Sequence, residues 1–76
     1  MRCKLVSPSE KIEKEVDSIS LPGLKGNFEI LPGHCKGFFQ LKRGEIVLRK
    51  GDKEEELFIN DGFCYVSGKD EVLVLF

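Results

Sequence analysis

Apolar and polar residues alternate along most of this chain with the period of two that marks half-buried strands. "KLVS" opens as a short apolar run, and "VDSISL" sets Asp17, Ser18 and Ser20 around Val16, Ile19 and Leu21. "NFEIL", "GFFQL", "EIVLRK", "ELFI", "GFCYVS" and "EVLVLF" follow, each four to six residues long. Between them fall turn signals: Pro22-Gly23, Pro32-Gly33, Gly44, Gly51-Asp52, Asn60-Asp61-Gly62 and Gly68. Glycine supplies the positive φ that tight turns need, and proline pre-sets the first turn position. Short strands, regular turns and one buried face per strand predict an all-β fold, a sandwich or barrel. Leu-Pro-Gly occurs twice within "LPGLKGNFEILPGHC", and both copies read as turns bracketing one short strand.

Two segments need separate treatment. "SPSEKIEKEV" carries a capping-box pattern, with Ser7 three residues before Glu10 and Pro8 at the first helical position. A helical turn is one reading of Pro8 to Glu15. As a strand, the same residues place Ile12, Lys14 and Val16 on one face, and the inward lysine is tolerable only at a sheet edge. "RKGDKEEEL" reads as a charged hairpin tip, with Glu54, Glu55 and Glu56 facing water beside Arg49, Lys50 and Lys53.

Seventy-six residues make one domain, spanning 1–76. A chain of this size buries only about 60% of the surface its unfolded form exposes, so docking to a larger partner is a natural source of extra stability. Twelve basic and thirteen acidic residues are interleaved, leaving a net charge of −1. No concentrated basic face marks nucleic-acid binding. The longest apolar run, Val72 to Phe76, falls far short of the ~20 residues of a membrane span. No charged segment followed by an apolar stretch opens the chain, so no secretory signal is expected. Cys3, Cys35 and Cys64 are odd in number and widely spaced, with a single histidine, which argues against a disulfide framework or a closed zinc site. Reduced thiols in a cytosol-like compartment are the simple reading.

Catalytic constellations are weak. His34 and Cys35 are neighbours in sequence, and adjacent residues of an extended chain point to opposite faces, so they do not form a nucleophile–base pair. Cys64 shares a face with Val66 and reads as a small core residue, opposite Phe63 and Tyr65. The carboxylates lie in two charged stretches without apolar neighbours that would raise their pKa values. No glycine pattern for cradling a nucleotide phosphate occurs, and no cofactor is expected. Phe38-Phe39 must send one ring to each face, so at least one ring is expected outside the core; exposed rings on so small a domain suggest a protein interface.

"LPGLKGNFEILPGH" resembles the signature of the N-terminal β-sandwich domain of the epsilon subunit of rotary F-type ATP synthase. The similarity continues through "LVSPSEKIEKEVDSISLPG", "LKRGEIVLRKGDKEEELFI" and "DGFCYVSGKDEVLVLF", so it covers essentially the whole chain. The resemblance implies a two-sheet sandwich or flattened barrel of about ten short strands. It implies a non-catalytic central-stalk subunit bridging the gamma subunit and the c-ring, coupling proton flow to ATP synthesis. Its place would be peripheral, on the cytoplasmic face of an energy-coupling membrane or in the equivalent organellar compartment. By residue match, Asn27, Phe28 and Glu29 would face the c-ring, while Ser7, His34 and Phe39 would fall near gamma, as a patch. Asn27 stands where the family often has an acidic residue, and Cys35-Lys36 and Gly37-Phe38 depart from the usual Ala-Pro and leucines. The chain stops at Phe76, where the family's C-terminal helical hairpin would begin, so hairpin-borne inhibition and ATP binding are not expected.

Two rival readings remain at this point. A lipoyl- or biotinyl-type carrier domain is also all-β, and would present Lys53 at the hairpin tip as its modified residue. A cysteine-based enzyme would use Cys35.

Overall fold

The structure is a computed structural model describing residues 1–34 and 36–76. Nine strands form among the described residues, where the resemblance implied about ten: β1 (Arg2–Val6), β2 (Lys11–Glu15), β3 (Ser18–Gly23), β4 (Gly26–Ile30), β5 (Gly37–Leu41), β6 (Gly44–Lys50), β7 (Lys53–Ile59), β8 (Gly62–Val66) and β9 (Glu71–Leu75). No described residue is helical, and no helix is long and apolar enough to cross a membrane.

All nine strands belong to one curled sheet in the order β2-β1-β9-β8-β5-β3-β6-β7, with β4 paired to β3 off that path. The sheet folds over on itself. One layer is β2-β1-β9-β8-β5, the other β4-β3-β6-β7, and the seam is a single bridge, Gly23 to Leu41. Every pairing is antiparallel except β1 with β9. Inward residues of both layers form one core: Leu5, Cys64, Val66, Val72 and Val74 on one side, Ile19, Leu21, Ile30, Ile46 and Ile59 on the other. The two-layer, all-β expectation is met as a half-closed barrel.

The ambiguous segment resolves as a strand. Ser7 Oγ accepts the Glu10 amide at 3.1 Å, the hydrogen bond expected of a helix cap, yet the chain turns back and pairs along β1 instead. β2 lies at one end of the strand order, the edge position that an inward lysine requires. The first Leu-Pro-Gly is not a turn. Leu21, Pro22 and Gly23 are buried in β3, and the chain reverses through Leu24-Lys25. The second is a turn: the His34 amide donates to the Leu31 carbonyl at 3.2 Å and Gly33 has φ +85°. Proline followed by a positive-φ glycine is the pattern of a type II turn.

Candidate partner-binding surface

The β3–β4 hairpin ends in a two-residue loop, Leu24-Lys25, closed by Gly23 facing Gly26. Alternation along β4 sorts the three residues matched to the ring side. Asn27 and Glu29 point outward and are exposed, whereas Phe28 turns inward, half-buried against the core. Glu29 is held by Arg49, whose Nη1 donates to Glu29 Oε2 at 3.0 Å and to Ser20 Oγ at 2.8 Å, while Nε donates to Glu54 Oε2 at 3.0 Å. One guanidinium thereby ties β6 to β3, β4 and β7. In sequence Arg49 stands only beside the charged tip, and nothing local reveals that its fork reaches three strands.

Phe28 meets Phe39 of β5, with ring centroids 4.8 Å apart and planes tilted by 41°. His34 approaches the same Phe39 ring edge-on at 6.1 Å. Two glycines make room for the pair. A Cβ on Gly23 would lie 2.9 Å from the Phe28 ring, and one on Gly37 would lie 2.8 Å from the Phe39 ring. These rings line an open groove of about 650 Å³ whose rim carries Leu24, Lys25 and the exposed Phe38. Phe28, matched to the ring side, and His34 and Phe39, matched to the gamma side, therefore share one groove.

Ser7 stands elsewhere. It follows Val6, which lies in register with Leu75, whereas His34 precedes Gly37, which lies in register with Val66. β1 and β5 are separated by β9 and β8, roughly 14 Å at the usual strand spacing, and Ser7 sits at the opposite end of the strands. No single patch joins Ser7 to His34 and Phe39.

A second exposed surface covers the outer face of β5, β8 and β9. Phe38, 65% exposed, stacks on Phe63 with centroids 5.4 Å apart and planes 13° from parallel, beside exposed Tyr65 and Leu75. This meets the expectation that Phe38 and Phe39 part to opposite faces, and that Phe63 and Tyr65 lie opposite Cys64. Across β6 and β7, the neighbouring Glu45 carboxyl raises the Glu56 pKa.

Among the described residues, the thiols are poorly suited to catalysis. Cys3 and Cys64 are buried, and burial pushes each thiol up to about 12, away from the thiolate that a nucleophile needs. Cys35, the residue proposed for a cysteine enzyme, lies outside the described residues. Among the described residues no group of three His, Cys, Asp or Glu side chains is placed to hold a metal ion. Lys53, the carrier candidate, opens β7 in an exposed position between Asp52 and Glu54.

Comparison with known proteins agrees with this architecture. Residues 1–76 match the family described as ATP synthase, Delta/Epsilon chain, beta-sandwich domain. The ATP synthase epsilon chain of Thermodesulfovibrio yellowstonii is 34% identical and that of Geobacter metallireducens 40% identical, each over 76 residues covering 99% of this chain and 54% of the relative. The chain thus spans about half the length of the curated relatives it matches. Among solved structures, a chain in the cryo-EM structure of Euglena gracilis mitochondrial ATP synthase (OSCP/F1/c-ring) superposes with a TM-score of 0.88 at 26% identity, covering 96% of this chain and 48% of that one. A chain in the Tetrahymena thermophila mitochondrial ATP synthase central stalk/c-ring structure shares the fold, with a TM-score of 0.84 at 11% identity. A match along every residue, together with the same two-layer β architecture, places this chain in the ATP synthase delta/epsilon-chain β-sandwich domain family.

Proposed function

We propose that this domain works as a non-catalytic part of the central stalk of a proton-translocating rotary ATP synthase, bridging the gamma subunit and the c-ring. Its likeness to ATP synthase epsilon chains over about half their length, and to a chain in a structure containing F1 and a c-ring, carries this reading. In it, Asn27 and Glu29 contact the ring, with Phe28 beneath them. His34 and Phe39 lie toward gamma, and Ser7 marks a separate gamma contact at the far end of the sheet. The compact core and the Arg49 cross-ties suit a rigid body that turns with the rotor and transmits torque, coupling ion flow to ATP synthesis. The domain would sit peripherally, on the cytoplasmic side of the membrane or its organellar equivalent.

Co-expression with gamma and c subunits tests it. The chain should co-purify with both, and a chain that associates with neither overturns the proposal.

A further inference from the structure

The β3–β4 hairpin is held by different partners at its base and at its tip. Near its base, Ser18 to Ser20 of β3 pair with Val47 to Arg49 of β6. Beyond Ser20 that support ends, and β4 pairs with β3 alone. A two-stranded ribbon of this kind is marginal in water on its own. Two backbone hydrogen bonds reach the tip from the β5 end: the Leu24 amide donates to the Gln40 carbonyl at 3.1 Å, and the Lys42 amide to the Pro22 carbonyl at 2.8 Å. Arg49 fastens the base through Ser20 and Glu29, and toward the tip the side-chain fastener is the contact of Phe28 with Phe39, seated on Gly23 and Gly37. His34 also meets the Phe39 ring edge-on, so the Leu31–His34 turn leans on the same residue.

We infer that Phe39, acting through Phe28, is a positioning residue that sets the β3–β4 hairpin, so that the presentation of Asn27 and Glu29 to a partner depends on a side chain of the other sheet layer. The inference rests on the rotor reading only for the identity of that partner. Mechanically, the gamma-side corner at His34 and the ring-side tip share one aromatic hinge pin. A load applied at either end is felt through the Phe39 ring.

Hydrogen exchange of the chain tests the fastening, because the Leu24 and Lys42 amides report the two tip hydrogen bonds directly. In Phe39→Ala these two amides should exchange about tenfold faster, the scale of one lost aromatic contact, while the β6–β7 ladder keeps its protection. Phe39→Tyr, which retains the ring, should restore both. Gly37→Ala, which crowds the ring without removing it, should loosen the same two amides if Phe39→Ala proves too unstable to study. Unchanged protection at Leu24 and Lys42 overturns the inference, and so does an equal loss of protection throughout the sheet.

Binding to detergent-solubilised c-ring supplies the second readout. Phe39→Ala should bind about tenfold more weakly and Phe39→Tyr like the unmodified chain. Equal binding by Phe39→Ala overturns the positioning role while leaving the rotor reading intact. If the unmodified chain binds no ring, the rotor reading falls, and the exchange result alone upholds or overturns the fastening by Phe39.

Discussion

Lys14 of β2 and Glu55 of β7 form an ion pair although their strands lie at opposite ends of the sheet order. Both side chains project from the core-facing side of an edge strand, so the pair spans the open side of the curled sheet, opposite the β3–β5 seam. Lys14 thus escapes the cost of an inward charge by meeting an inward carboxylate from the other layer. Both partners remain partly exposed, which limits the pair's worth to the range of surface ion pairs. A double-mutant cycle with Lys14→Ala and Glu55→Ala should give a coupling of about 0.2–1 kcal/mol that fades in 1 M salt. A coupling insensitive to salt would show that the contact is packing rather than charge.

Arg49 should matter more than any other single surface cation of the described residues, because it serves acceptors on three strands at once. Arg49→Leu is expected to lower stability by about 1–2 kcal/mol in urea unfolding. Arg49→Lys should recover little, since a point charge cannot reproduce the guanidinium fork.

Gly62 starts β8 where the backbone of β9 comes close. A Cβ there would lie 2.3 Å from the Leu75 carbonyl oxygen, a contact that only backbone movement relieves. Gly62→Ala should therefore cost about 1–3 kcal/mol or more and lower the melting temperature by several degrees. Alanine at Gly33, where no atom lies within 4 Å of the added Cβ, should cost only the strain of its φ of +85°.

The buried thiols predict an alkaline weakness. Burial raises Cys3 and Cys64 from an ordinary 9.0 to about 12 in the folded chain. A group whose folded pKa is raised contributes stability that is complete below the unfolded pKa and lost as pH climbs toward the folded one. The thiols' contribution should thus be flat through neutral pH and fall between about 9 and 12, by up to about 1.4 kcal/mol per pH unit for each thiol. Cys64→Val should roughly halve that slope in urea titrations, and neither Cys3 nor Cys64 should react with iodoacetamide in the native chain at pH 8.

Much of this architecture was legible in local pattern. The runs that became β5 to β9, the charged tip at Gly51-Asp52, and the parting of Phe38 from Phe39 all follow from period-two alternation and glycine turns. The candidate surface was only half legible. The resemblance grouped Asn27, Phe28 and Glu29 on one side, whereas β4 turns Phe28 inward. That Phe28, His34 and Phe39 share a groove, and that Ser7 does not join them, depends on which strands become neighbours.

The two copies of Leu-Pro-Gly mark the boundary between what each level decides. By itself the sequence determined that this is an all-β chain, which residues face inward along most strands, and, through its motif, which family it belongs to. Those properties are written in spacings of two to four residues. Only the tertiary structure decided that Leu21-Pro22-Gly23 would lie buried in β3 while Leu31-Pro32-Gly33 turned the chain. Gly23 is flanked by the Phe28 ring and bridged to Leu41, contacts supplied by residues 5 and 18 positions away, and such pairing overrides the turn preference of the same three residues. Lys14 and Phe39 owe their roles to the same cause: their partners, Glu55 and Phe28, become neighbours only when the sheet curls and its layers meet.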